Sequence, residues 1–251
     1  MKKEKIAISV DKPLLDILDS KVDGSIIRSR SQAFEIYLKK GLGSQQISTA
    51  VILLKSDHHK VALKNLKSKT LIKNQLDFFN SFGIKKILIV TQSSNHLDKI
   101  NHECLHTTQD VKIIEDDSKG NANALFRVKK MLDDSNFIVS SGDVYNDFDL
   151  NKMISKHIHN DKLATMGLMT REKPSQYGNA VLDGDQIIDF QEKPRQTTSF
   201  IVNAGIYIFK PEIFELFENT ASLEKDVFPR LARIKQLNGF FTYGEYHHME
   251  E

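Results

Sequence analysis

The sequence predicts an α/β fold, a mostly parallel sheet with flanking helices, preceded by a small strand–helix–helix unit. From Ala50 onward, short apolar runs alternate with helical patterns, the βαβ rhythm of a parallel sheet. The first ~45 residues follow a different pattern, one short alternating run and two capped helical segments. Between them "GLGSQQ", Gly41 to Gln46, has the composition of a linker. The expected boundaries are therefore 1–43, a linker over 44–49, and 50–251.

In the large region the predicted strands are "AVILL" (50–54), "KILIV" (86–90), "VKII" (111–114), "FIVSSGD" (137–143) and "ATMGLM" (164–169). Helices are expected over "IKNQLDFFNSFG" and "NANALFRVKKMLDD". "NAVLDGDQIIDFQEKP" reads as a hairpin turning at Asp183-Gly184, since Asp-Gly supplies the positive φ of a tight turn. "FIVNAGIYIF" reads as one long strand. The longest apolar runs are five to seven residues, far short of the roughly 20 that span a bilayer, so no membrane partner is expected. One cysteine, Cys104, excludes an internal disulfide and fits a reducing, cytoplasmic setting.

In "KIAISV", Ile6, Ile8 and Val10 alternate with Lys5, Ala7 and Ser9, period two, hence a short strand. Asp11 caps a first helix carrying Leu14, Leu15, Leu18 and Val22, with Pro13 in its first turn and Gly24 at its end. "SRSQ", Ser29 to Gln32, is a capping box for a second helix through Phe34, Tyr37 and Leu38. Residues 1–43 hold nine Lys or Arg against six Asp or Glu, within a chain of net charge +2. So small a unit cannot bury a sufficient core alone. Pairing its lone strand with that of a second chain predicts a homodimer or higher even-numbered oligomer.

Strand–helix–helix with "KIAISV" and "SRSQAFEIYLKKGL" resembles the ribbon-helix-helix family of DNA-binding proteins. The resemblance implies that Lys5, Ala7 and Ser9 face base edges. Arg28, Ser29 and Arg30 would then meet phosphates near a helix N-terminus. A bare dimerisation module is the other reading of this unit.

"IVSSGDVYNDFDL", "PSQYGNAVLDGDQIIDFQEKP", "VNAGIYIF" and "SLEKDVFPRLA" occur in that order. Together they resemble the sugar-1-phosphate nucleotidyltransferases, from about Ala50 to Tyr246, and so imply a Rossmann-like, nucleotidyltransferase-like fold. In that family a sugar 1-phosphate attacks the α-phosphorus of a nucleoside triphosphate and pyrophosphate leaves. The resemblance implies that Asp143 holds Mg²⁺ and that Lys193 binds the sugar phosphate, these two being the candidate catalytic residues. Glu192 would bind sugar hydroxyls, with Tyr177, Gly178, Asn203 and Gly205 completing the sugar subsite. Gly120, Ala122 and Asn123 would contact the nucleotide.

Two departures stand against full catalytic competence. The family's G-G-x-G-T-R-L-x-P loop, whose backbone N–H groups wrap the triphosphate, is missing after Leu54. "KSDHHK" takes its place, with Lys55, Lys60 and Lys64 as side-chain charges. The family's second metal carboxylate falls at Met249 or Glu250, in "GEYHHMEE". The sequence-based expectation is therefore a DNA-binding regulator whose degenerate domain binds a sugar phosphate or nucleotide sugar. An active sugar-1-phosphate nucleotidyltransferase is the alternative, and a structural pseudoenzyme dimer a further one.

"HECLH" places His102, Cys104 and His106 at alternate positions, which a strand would put on one face. With no second cluster, neither metal binding nor nucleophilic chemistry is expected of them. The pairs His58-His59 and His247-His248 are expected to be solvated loop residues.

Overall fold

The computed structural model describes residues 7–24, 27–41 and 47–249. The chain divides between Gln46 and Ile47 into two compact units.

In the first unit, α1 spans Lys12–Asp19 and α2 spans Arg30–Gly41. Pro13 sits in the first turn of α1, where its missing N–H costs nothing. The Ser29 hydroxyl accepts the Gln32 N–H at 3.2 Å, and the Gln32 side chain accepts the Arg28 N–H at 2.9 Å. The Ser29 cap forms as the sequence reads, while the return bond of the "SRSQ" box falls on Arg28, one residue before the cap. Residues 7–11 form no strand, and among the described residues of this unit there is no strand for them to pair with. Lys5 lies outside the described residues. Ala7 and Ser9 are exposed and Ser29 serves as a cap. Arg30, expected on phosphate, instead forks onto Asp19 through two 2.6 Å bonds. The first helix ends at Asp19 rather than Gly24, with the turn closed by Asp23 and Gly24 N–H bonds to the Ile27 carbonyl.

The second unit is the predicted α/β fold. Its strands are β1 (Thr49–Leu54), β2 (Asn65–Leu66), β3 (Lys69–Thr70), β4 (Lys86–Thr91), β5 (Asp110–Glu115), β6 (Phe137–Ser141) and β7 (Val144–Asp147). They continue with β8 (Ala164–Thr170), β9 (Gly178–Asp183), β10 (Gln186–Glu192), β11 (Ile201–Phe209), β12 (Leu237–Phe241) and β13 (Glu245–His248). Its helices are α3 (His59–Ala62), α4 (Leu71–Ser81), α5 (Leu97–Cys104), α6 (Asn121–Arg127), α7 (Leu150–Asn160) and α8 (Phe228–Arg233).

Nine strands form one sheet in the order β5-β4-β1-β6-β11-β8-β12-β10-β9. β5, β4, β1 and β6 are mutually parallel. β11 runs antiparallel to both β6 and β8. The continuous apolar run of β1 follows from burial on both faces. Val51 joins one hydrophobic cluster, while Ala50, Ile52 and Leu54 join the other.

Several elements differ from expectation. α6 stops at Arg127 rather than running to Asp134; Val128 leaves helical geometry, and a short 3₁₀ turn follows. The "HECLH" segment lies at the end of α5 and is not a strand. Leu97, Ile100 and Cys104 repeat at helical spacing, and Ile100 is fully buried. Among the described residues, no helix is long and apolar enough to cross a membrane.

Candidate active site

The carboxyl ends of β1, β4 and β6 open onto a cavity of about 900 Å³, the position at which open α/β sheets hold ligands. Asp143 stands just past the end of β6. The Gly142 N–H donates to Leu53 O at 2.9 Å. A Cβ on Gly142 would lie 2.7 Å from a Leu54 methyl, so only glycine lets this turn pack against β1. Gln75 of α4 clamps the same turn, donating to the Ser141 and Val144 carbonyls at 2.8 and 2.6 Å.

Two histidines meet the Asp143 carboxylate. His58 ends the 3₁₀ turn that follows β1, and its Nδ1 lies 3.1 Å from Asp143 Oδ2. His248 arrives through the antiparallel pairing of β13 with β7, which sets it opposite Val144. Its Nε2 lies 3.4 Å from the same oxygen. Burial pushes the Asp143 carboxyl up, but the hydrogen bonds from His248 and His58 outweigh it and hold the group well below the usual carboxylate range. His58 is raised in turn, chiefly by its bond to Asp143. His59 is fully buried, its ring between Ser94 Oγ and Thr91 Oγ1, each at 2.5 Å. The expectation of solvated histidine pairs therefore fails for His58 and His59, while His248 stays exposed but lies on β13, where it meets Asp143. Adjacent residues point apart, which here sends His58 to the site and His59 into the interior.

The opposite wall is built by β10 and β11. Lys193 follows β10 with φ +46°, its N–H bonded to Tyr177 O at 3.1 Å. This joins the "YG" and "EKP" segments. Gly178 lies against the Glu192 carboxylate, where a Cβ would stand 2.9 Å from Oε2. The pairing of β11 with β8 shifts register between Asn203 and Tyr207, a bulge that re-aims the residues it contains. Inside it, Asn203 Oδ1 accepts the Gly205 N–H at 2.8 Å and its amide donates to Tyr207 Oη at 2.7 Å. Gly205 has φ +68°, a conformation glycine adopts without penalty.

Asp143, Tyr177, Gly178, Glu192, Lys193, Asn203, Gly205 and Gly120 all line the one cavity. Ala122 and Asn123 do not. Ala122 is buried in the core, and the Asn123 amide turns back to Lys119 O at 2.8 Å. Their neighbours Asn121 and Ala124 line the cavity instead, because residues three apart share one face of α6. Sequence reasoning also missed Glu224, His58 and His248 on the lining.

Cys104 is half-buried and its thiol is pushed up to about 11 by burial, which leaves it unreactive at neutral pH. Among the described residues, no three His, Cys, Asp or Glu side chains are arranged to hold a metal ion by themselves. Asp143 nevertheless suits Mg²⁺, which binds through one or two carboxylates with substrate phosphates and water supplying the rest. Both imidazoles engage Oδ2, so Oδ1 is the oxygen such a cation would meet.

Fold and cavity together define a nucleotidyltransferase-like α/β domain. The Nucleotidyl transferase family model matches residues 53–243, and the chain belongs to this family. Among its relatives, a mannose-1-phosphate guanyltransferase of Yarrowia lipolytica is 31% identical over 188 residues, 70% of this chain and 51% of that protein. The mannose-1-phosphate guanylyltransferase catalytic subunit beta of Drosophila pseudoobscura pseudoobscura is 37% identical over 127 residues, 49% of this chain and 34% of that protein. The chain spans about a third to a half of the length of these curated relatives. Among solved structures, HddC from Yersinia pseudotuberculosis superposes with TM-score 0.68 at 20% identity, covering 80% of this chain and 93% of that one. UDP-glucose pyrophosphorylase complexed with UDP-glucose gives 0.66 at 18%, with the same coverage. At such identity these structures speak for the fold alone.

The relatives overturn the first functional expectation. They are named as nucleotidyl-transferring enzymes, not as DNA-binding regulators with a degenerate sensing domain. The comparisons lend no support to the ribbon-helix-helix reading of the N-terminal unit or to DNA as a partner. They favour the alternative, a nucleotide-sugar-forming enzyme.

Proposed function

We propose that the domain from residue 50 onward is a sugar-1-phosphate nucleotidyltransferase. A phosphate oxygen of the sugar 1-phosphate attacks the α-phosphorus of a nucleoside triphosphate; the bond to the β-phosphate breaks, and pyrophosphate carries away the electron pair. The names of the relatives point to mannose 1-phosphate and a guanine nucleotide as substrates. The observation that carries the reading is the convergence of Asp143, Glu192, Lys193, Asn203, Gly205 and Gly120 on one cavity.

Each residue has a task that follows from its chemistry. Glu192, an acceptor-only group when ionised, takes hydrogen bonds from sugar hydroxyls. Lys193, fixed by the bond from its own backbone to Tyr177, offers its ammonium to the sugar phosphate. Asn203 and Gly205 shape the floor through the bulge in β11. Gly120, at the start of α6, lets the nucleotide side of the cavity pack closely against Ala221, where a Cβ would stand 2.0 Å from the carbonyl oxygen. Five carboxylates line the cavity against three lysines, so the wall alone does not neutralise two anionic reactants. A divalent ion such as Mg²⁺, held by Asp143 and the phosphates, supplies that positive charge when bound. His58 and His248 keep the Asp143 carboxylate oriented and ionised.

The test is pyrophosphate release from mannose 1-phosphate and GTP with Mg²⁺, using the full chain. Asp143→Asn should lower turnover by at least about 100-fold, the scale for loss of one charge-stabilising element. No turnover by the unmodified chain with any of the four common nucleoside triphosphates and several sugar 1-phosphates would refute the reading.

We also propose that residues 1–43 form a separate unit, joined through 44–49 to residues 50–251. Its exposed apolar residues Ile8, Leu14 and Ile17 suit pairing with a second copy of the chain, in a homodimer or higher even-numbered oligomer.

A further inference from the structure

Glu224, in the "SLEKD" segment, is the second residue of a single π-helical turn over Leu223–Val227 that Ser222 caps. Such turns break the regular i to i−4 ladder and recur at functional sites. The Glu224 carboxylate is held by three hydrogen bonds from two side chains. The Asn121 amide donates to Oε1 at 3.0 Å and to Oε2 at 2.9 Å, and the Ser222 hydroxyl donates to Oε2 at 3.0 Å. Asn121 in turn accepts the Leu223 N–H at 2.8 Å. Asn121 opens α6, the helix on the expected nucleotide side, and both residues line the cavity that Glu192 also lines.

We propose that Glu224 is a sugar-contact residue, the second of two carboxylates that grip the ring hydroxyls, and that Asn121 positions it. The inference rests on the nucleotidyltransferase reading and deepens its substrate subsite. Ionised carboxylates only accept hydrogen bonds, so Glu192 and Glu224 on one cavity call for a ligand rich in donors. A polyhydroxyl ring meets that demand; a phosphate, acceptor-only itself, does not. Burial raises the Glu192 carboxyl, and the charge of Glu224 adds to it ahead of any lysine, which agrees with the two sharing one neighbourhood. The sugar phosphate then falls to Lys193. Because Asn121 belongs to α6, the wall that faces the nucleotide and the carboxylate that faces the sugar move as one piece.

Calorimetric titration of the full chain with mannose 1-phosphate, GTP and inorganic phosphate separates the possibilities. Glu224→Gln should weaken mannose 1-phosphate on the order of 10- to 100-fold, the range for a hydrogen bond to a charged group. Inorganic phosphate, which has no ring hydroxyls, should stay within about twofold, and so should GTP, whose ribose hydroxyls and guanine N–H groups lie outside the reach proposed for Glu224. Asn121→Ala should weaken mannose 1-phosphate too, and adding it to Glu224→Gln should cost little more, as for residues acting as a unit. Glu224→Asp, which retains the charge on a shorter stem, guards against a folding defect and should fall between wild type and Glu224→Gln. Equal loss of GTP and mannose 1-phosphate would make Glu224 a mere brace for α6 and overturn the inference. Wild-type binding of mannose 1-phosphate that survives intact in Glu224→Gln would overturn it alone. A wild-type chain that binds neither ligand would overturn the parent reading and this inference with it.

Discussion

Gly120 is the position at which a single methyl group tests the nucleotide side of the cavity. Its φ is +90°, and an added Cβ would stand 2.0 Å from the carbonyl oxygen of Ala221. Carbon and carbonyl oxygen approach no closer than about 3.3 Å in favourable contacts, so Gly120→Ala must push the two segments apart by over an ångström. That displacement strains three bonds that fasten α6 to residues 221–224: Ala122 N–H to Ala221 O at 3.1 Å, Leu223 N–H to Asn121, and Asn121 to Glu224. At about 1 kcal/mol per bond, with about 1–3 kcal/mol for a backbone at φ +90° and ψ 148° that glycine alone adopts readily, the loss is roughly 4–6 kcal/mol. For a domain of this size that lowers Tm on the order of 10 °C. Gly83→Ala is the control: φ is +77°, but nothing lies within 4 Å of the added Cβ, so only about 1–2 kcal/mol of backbone strain is expected. Thermal melts of both variants, with GTP titration of each, read the difference. Gly120→Ala melting no lower than Gly83→Ala would refute the argument.

His157 of α7 is fully buried, bonded to Thr165 at 2.8 Å, and burial lowers it to about 4. The unfolded chain takes up this proton near pH 6.5 and the folded chain does not. Stability is therefore full above about pH 6.5 and falls on acidification towards pH 4, by about 3 kcal/mol for a shift of this size. Urea melts between pH 4 and 7 should show the slope, and His157→Gln should flatten it; an unchanged slope would assign the loss elsewhere. Light scattering of the full chain should give an even-numbered mass that Leu14→Glu with Ile17→Glu reduces to a monomer. A monomeric wild type would end the pairing proposal.

What the sequence made legible is what repeats locally. β1, β4, β5, β6 and β8 fall within one or two residues of their apolar runs, because period and composition are properties of a short window. The hairpin of β9 and β10 turns one residue later than Asp183-Gly184, over Gly184-Asp185, with Gly184 at φ +59° and Asp183 still paired with Gln186. What stayed hidden depends on partners far along the chain. β7 and β13 are short and weakly apolar, and only their pairing with each other makes them strands. That pairing delivers His248 to Asp143, so no local pattern announces it. Asn121 and Glu224 are 103 residues apart, and each alone reads as an ordinary cap or surface residue. The helical nature of "HECLH" was available, since Ile100 and Cys104 lie one turn apart on the buried side of α5.

The segment after β1 shows how a site changes when its glycines are gone. In a glycine-led cradle the backbone N–H groups stay unspent and point at the phosphates. Here they are used internally. Ser56 N–H goes to the Gln92 side chain at 2.9 Å, and His58 N–H closes the 3₁₀ turn on Lys55 O at 3.0 Å. The same short segment is tied to β6 by His58 on Asp143 and to β4 by His59 on Thr91. It is a folded brace, and on the proposed reading the positive charge for a triphosphate would come from Lys55 and Lys225 on the cavity wall and from a bound cation, Lys193 being given to the sugar phosphate. Backbone dipoles are fixed before the substrate arrives, whereas lysine side chains must be ordered by it. The sugar end of the cavity, built on the β11 bulge and the Glu192–Gly178 contact, keeps its organisation without ligand. On the proposed reading the triphosphate end would acquire its own only on binding, through groups that salt screens readily. Affinity for the sugar half should therefore be the less salt-dependent of the two, because its donors and acceptors are already in place on strands.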